Sequence, residues 1–156
     1  MKLYLVQHAE AKLKEEDPER SLTEKGLTDI RRVAAFVADL KDMQVSSIFH
    51  SGKTRAVQTA AVLNENLKPS QGINIADDLE PLADLSGWIE RLARERENIM
   101  IVGHLPHLSK LAGKLLCDDE NRQVIAFQMA GVVCLTKDEL GTWSLQWMVT
   151  PDILKG

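Results

Sequence analysis

Three places in this sequence set polar, chemically competent side chains directly behind an apolar run. Leu3-Tyr4-Leu5-Val6 gives way to Gln7-His8-Ala9-Glu10, the run over residues 45–49 gives way to His50-Ser51 with Arg55 a turn later, and Ile99-Met100-Ile101-Val102 gives way to Gly103-His104. A neutral imidazole is a nucleophile or proton carrier near pH 7, and a guanidinium presents a fixed fork of donors to an oxyanion. Two histidines and an arginine brought together make a small cationic pocket, for which a phosphate group is the natural guest. Helices starting behind these runs would add backbone N–H donors and a favourable dipole.

Taken singly, these residues have plainer uses. A lone histidine at a strand end is usually a structural hydrogen-bonding group, and His50 and His107 are read that way. Arg55 alone would be a solvated helix residue, Trp88 a partly buried anchor and Glu15-Glu16-Asp17 a solvated face. His8 and His104 are read as chemical because both follow apolar strands in the same register. A metal site on His104 and His107 is a poor reading, since Pro106 separates them and no carboxylate stands at ligand spacing. No phosphate-binding Walker loop, serine-hydrolase elbow or dinucleotide fingerprint occurs, so nucleotide hydrolysis, serine esterase and dinucleotide-dependent chemistry have no foothold.

The elements that must position these groups follow from hydrophobic period. The three runs read as strands, with a weaker edge strand at 73–76. Apolar residues at helical spacing predict helices over 23–41, with Thr23 as cap, and over 53–67, closed by Pro69. Shorter helices are expected at 88–96 and 107–116, and the acidic stretch 77–86 as a loop. Strands alternating with helices imply right-handed βαβ units, giving an α/β fold: a three-layer α/β/α sandwich around a mostly parallel sheet. Residues 131–137 and 142–149 break that rhythm and predict a C-terminal antiparallel hairpin at one edge. In such sheets ligands bind at the carboxyl ends of the strands, where the three polar clusters fall.

Composition bounds the rest. The 156 residues suit one domain over 1–156, and 44% hydrophobic with 27% charged residues is the balance of a globular protein. A formal net charge of −4 gives no general attraction to nucleic acid or to a membrane surface, so any anion site is local. Cys117 and Cys134 lack paired spacing and are expected to be buried free thiols. The N-terminal apolar run is too short for a secretory leader, and the expected compartment is the cytoplasm.

Four segments, in order, resemble the histidine phosphatase superfamily, the fold of phosphoglycerate mutase. Leu5-Val6-Gln7-His8-Ala9-Glu10-Ala11 is similar to its Arg-His-Gly signature, and Ser21-Leu22-Thr23-Glu24-Lys25-Gly26 to its Pro-Leu-Thr-x-x-Gly. Residues 51–60 resemble its Ser-Pro-x-x-Arg-Ala-x-Gln-Thr-Ala, and Val102-Gly103-His104-Leu105-Pro106 its Val-Gly-His-x-Pro. Chain length and Leu79-Glu80-Pro81 are most similar to the SixA-type phosphohistidine phosphatases. The resemblance implies a phosphatase without cofactor or metal, working through a phosphohistidine on His8, with Arg55 and His104 on the phosphoryl oxygens and Arg20 meeting the substrate. Glu80 or Asp84 would be the proton donor. The implied partners are a phosphorylated protein or a small phosphorylated substrate, with inorganic phosphate as product. Two departures stand out: Gln7 replaces the arginine before the nucleophile, and Ala9 replaces the glycine after it. Gln7 donates a hydrogen bond without charge or fork, which leaves a second reading, a catalytically impaired phosphate- or phosphoprotein-binding member of the family.

Overall fold

The computed structural model describes residues 1–154. Strands β1 (Lys2–Gln7), β2 (Ser47–His50), β3 (Ile73–Ile75), β4 (Ile99–Gly103), β5 (Val132–Lys137) and β6 (Trp143–Val149) form one sheet in the order β3-β2-β4-β1-β5-β6. The first four strands in that order run parallel; β5 is antiparallel to both β1 and β6. Helices α1 (Glu24–Ala38), α2 (Thr54–Leu67), α3 (Ser86–Arg94) and α4 (His107–Cys117) connect the strands. This is the expected α/β/α arrangement with its C-terminal hairpin.

Alternation along the strands builds a separate core on each face of the sheet. Tyr4, Val6, Ile48, Met100, Val102 and Cys134 pack with the apolar stripe of α1 and with α2, while Leu3, Leu5, Ile99, Ile101, Val133 and Leu135 pack with Trp88, Leu92 and Leu108 from α3 and α4. Since β1 and β4 are buried on both faces, they read in sequence as unbroken apolar runs.

Element ends differ from the periodicity where side chains cap the backbone. Thr23 Oγ1 accepts from Gly26 N at 2.9 Å and starts α1. The helix stops at Ala38, short of residue 41, because Asp39 N and Leu40 N turn to Phe36 O and Val37 O in tightened i to i−3 bonds. Helix α3 begins at Ser86, two residues before the apolar pattern, because the Asp84 carboxylate accepts from Ser86 N at 2.6 Å. It ends early because Lys137 Nζ donates to the carbonyls of Leu92 and Glu95 at 2.6 and 2.8 Å. Strand β2 is shifted to Ser47–His50, so Val45 lies outside it and His50 within it. Cys117, expected to be buried, is exposed, because the last residue of α4 falls on its outer side; Cys134 is buried in the sheet.

Candidate active site

Strand register decides which polar groups meet. Gln7 lies beside Gly103 in the β1–β4 pair, and His50 beside Val102 in the β2–β4 pair. His8, His104 and Ser51 therefore leave three adjacent strands side by side at the carboxyl edge. His8 N donates to Gly103 O at 3.1 Å, and the His8 and His104 ring centroids lie 5.1 Å apart.

The His8 ring is fixed by its own backbone. Nδ1 lies 2.8 Å from Ala9 O. A carbonyl only accepts, so Nδ1 carries the proton and Nε2 the lone pair. Burial lowers the pKa of His8, the Ala9 bond opposes that, and the charges of Arg55 and Arg20 lower it further, so the ring is neutral at pH 7. Ala9, fully buried, donates its N–H to Thr59 Oγ1 at 3.0 Å, and that hydroxyl donates to Arg55 O at 2.7 Å. The loop after β1 is thereby fastened to the first turn of α2.

His104 is 1% exposed, and its Nε2 lies 2.6 Å from Ser51 Oγ. Burial drives its pKa down to about 3, assisted by the cations Arg55 and Lys53 and by unfavourable coupling to the neighbouring rings of His8 and His107. Its Nδ1 is buried without a hydrogen-bond partner among the described residues, and so is Arg55 Nε. Buried polar atoms are nearly always paired, and two unpaired ones at one edge mark a place suited to a polar guest. Burial, followed by the neighbouring Arg20 charge, also lowers the pKa of Arg55. Arg20 is held over the site by Nε donating to Lys12 O at 3.0 Å, in a left-handed backbone conformation (φ 53°) set by the Asp17–Ser21 turn.

Other expected residues fall as follows. Gln7 is half-buried; its carbonyl accepts from Ala130 N at 2.9 Å, and its side-chain amide makes no hydrogen bond among the described residues. Asp84, just ahead of α3, is engaged by Ser86, and its hydrogen bonds to that residue lower its pKa, which disfavours a proton-donating role. Glu80 is exposed and its charge acts on His107. His50 Nδ1 accepts from Gly52 N at 3.1 Å, a structural use. His107 is buried, but neither ring nitrogen makes a hydrogen bond of ordinary geometry. Burial lowers its pKa, against the opposing influence of the Asp78 backbone and of the Glu80 and Asp78 carboxylates. Trp88 is more deeply buried than expected, at 4% exposure, and its indole N–H donates to Asp77 O at 3.0 Å. Periodicity and motif spacing assign no role to Thr59 or Lys53 and do not pair Ser51 with His104. A hydroxyl directly behind β2 was the available signal, but only strand order makes His104 its neighbour. No group of three or more His, Cys, Asp or Glu among the described residues is placed to hold a metal ion, and no described helix is long and apolar enough to cross a membrane.

A neutral imidazole, a second histidine and the unpaired Arg55 Nε thus meet at the carboxyl edge of a parallel sheet, an arrangement chemically suited to an anionic phosphoryl group. The family model for the histidine phosphatase superfamily (branch 1) matches residues 3–83. The chain belongs to that superfamily, and with it to the phosphatase class of enzymes. Comparison with curated proteins gives no match. Among solved structures, the protein histidine phosphatase SixA complexed with tungstate is similar at 22% identity, covering 99% of this chain and 100% of that one, with a TM-score of 0.85. The alpha-ribazole phosphatase from Shigella flexneri is similar at 15% identity, covering 97% of each chain, with a TM-score of 0.75. A mycobacterial glucosyl-3-phosphoglycerate phosphatase complexed with VO3 is similar at 14% identity, covering 94% of this chain and 97% of that one, with a TM-score of 0.72. At these identities the likeness establishes the shared fold.

Proposed function

We propose that this chain is a metal-independent phosphatase that passes the phosphoryl group through His8, with phosphohistidine on a protein as the favoured substrate. The observation that carries this reading is the 2.8 Å contact from His8 Nδ1 to Ala9 O, which leaves Nε2 as a lone-pair donor beside His104. Nε2 attacks phosphorus in line; the Nε2–P bond forms as the bond to the leaving nitrogen breaks, and the departing imidazole takes a proton from solvent. Water then adds to phosphorus, the Nε2–P bond breaks, and inorganic phosphate leaves with His8 neutral again. Arg55, His104 and Arg20 hold the equatorial oxygens, and donors fixed before the reaction supply most of the rate.

The leaving group is chosen on the state of the acids. An alkoxide from a phosphoester needs a proton at the moment of cleavage, whereas Asp84 is tied to Ser86 and Glu80 is exposed beside His107. A phosphoramidate makes less demand on a built-in acid, because its nitrogen is protonated from solvent.

Gln7 supports a second reading, a family member that binds phosphate without turning it over. Rapid quench with a 32P-labelled phosphoramidate separates the two. An acid-labile phosphate stoichiometric with enzyme, missing in His8→Ala, is the expected result; no label at any substrate concentration overturns the catalytic reading.

A further inference from the structure

Resting on the phosphatase reading, we propose that Lys53 is a phosphate-binding residue of this site, supplying from the β2 side the positive charge that Gln7 withholds on the β1 side. Lys53 occupies the N-cap position of α2, directly behind the Ser51-Gly52 turn, and its side chain takes no part in capping. Its backbone N–H donates to Ser51 Oγ at 3.3 Å, the same hydroxyl that lies 2.6 Å from His104 Nε2. One hydroxyl thus ties the Lys53 backbone to the ring that would face the phosphoryl oxygens. Gly52 makes this turn possible with φ +87°, a conformation that side chains rarely adopt.

The charge environment is the second observation. Lys53 is half-buried, and neither an ion pair nor a side-chain hydrogen bond is made to it among the described residues. The first turn of α2 carries no acidic residue, yet Lys53 and Arg55 both stand there. Helix N-termini favour anions, so two cations without a counter-ion oppose the dipole and gain nothing from the protein itself. A phosphoryl dianion between His8, His104 and Arg55 resolves that conflict. The field of Lys53 already reaches His104, where it lowers the ring's pKa. A family member with arginine before the nucleophile holds one charge on β1; here the cation stands across His104, on the far neighbour of β4.

The test is a double-mutant cycle read by kcat/KM on a small phosphoramidate and by vanadate affinity in calorimetry. Lys53→Met is expected to lower kcat/KM about 10²-fold, the usual loss for one fixed oxyanion donor. Vanadate affinity should weaken about tenfold or more, with Lys53→Arg restoring most of it. Gln7→Arg should recover about tenfold or more in the Lys53→Met background and gain clearly less in the parent, because two groups serving one anion are non-additive. Lys53→Met with unchanged vanadate affinity and unchanged Tm overturns the proposal, as does a Gln7→Arg effect that is equal in both backgrounds. If the parent forms no phosphoenzyme, the phosphatase reading fails while vanadate affinity still decides the role of Lys53.

Discussion

Acid should unfold this protein through its histidines. His8, His50, His104 and His107 are between 1% and 9% exposed, and burial lowers the pKa of each. An unfolded chain binds protons at these rings near pH 6.5, and the folded chain refuses them, so the unfolded state gains as pH falls. Stability is therefore fully present above about pH 6.5 and is lost progressively below it, through the folded-state values, which for His104 means down to about 3. His104 alone removes about 2 kcal/mol between pH 7.5 and pH 5.0, with a limiting slope of about 1.4 kcal/mol per pH unit; if all four rings refuse their protons the slope approaches about 5. Against a typical domain stability of about 5–15 kcal/mol, either loss is measurable. Urea unfolding at pH 7.5, 6.5, 5.5 and 5.0 reads it, and a His104→Gln variant should show a slope shallower by about 1.4 kcal/mol per pH unit. A parent stability at pH 5.0 within about 0.5 kcal/mol of its value at pH 7.5 would refute the reasoning, because one fully buried ring already demands four times that.

Two further outcomes are expected. With the His8 pKa lowered, kcat/KM should hold through pH 7 and fall only below about pH 6.5, as His8 gains a proton and loses its lone pair; Arg55→Met removes a cation that helps to lower it and should move that limb upward, which a pH–rate profile reads. Gly26→Ala drives a Cβ into the main-chain carbonyl of Glu10 and should cost about 1–3 kcal/mol in urea unfolding, since that carbonyl is backbone with no flexible end to yield. A Tm equal to that of the parent would mean that α1 can slide away from the loop behind His8.

How far the sequence reveals this site depends on the kind of interaction. His8 and His104 are legible because β1 and β4 are buried on both faces, so their apolar runs end visibly where the polar edge begins. Arg55 follows from its position one turn into a helix behind β2. The pairing of Ser51 with His104 is not legible, since it depends on β4 inserting between β1 and β2, and nothing local in residues 51 or 104 records that order. Glu80 and Asp84 look equivalent as carboxylates in one acidic loop; a hydrogen bond from Ser86 N engages one of them at the start of α3. Element ends are hard to place from periodicity for a similar reason: Lys137, forty-odd residues downstream, closes α3 by taking its last carbonyls. Periodicity reports which face is buried, and long-range partners decide where an element stops.

The contact between His8 Nδ1 and Ala9 O carries an evolutionary consequence. Its acceptor is a main-chain carbonyl, which every amino acid at position 9 supplies, so no ordinary substitution can delete it. A nucleophile whose tautomer depended on a carboxylate partner would be lost with a single codon change. Here the orientation of the ring is set by the main chain, whatever side chain stands at position 9. Glutamine at position 7 and alanine at position 9 leave that contact in place, because neither supplies its acceptor through a side chain.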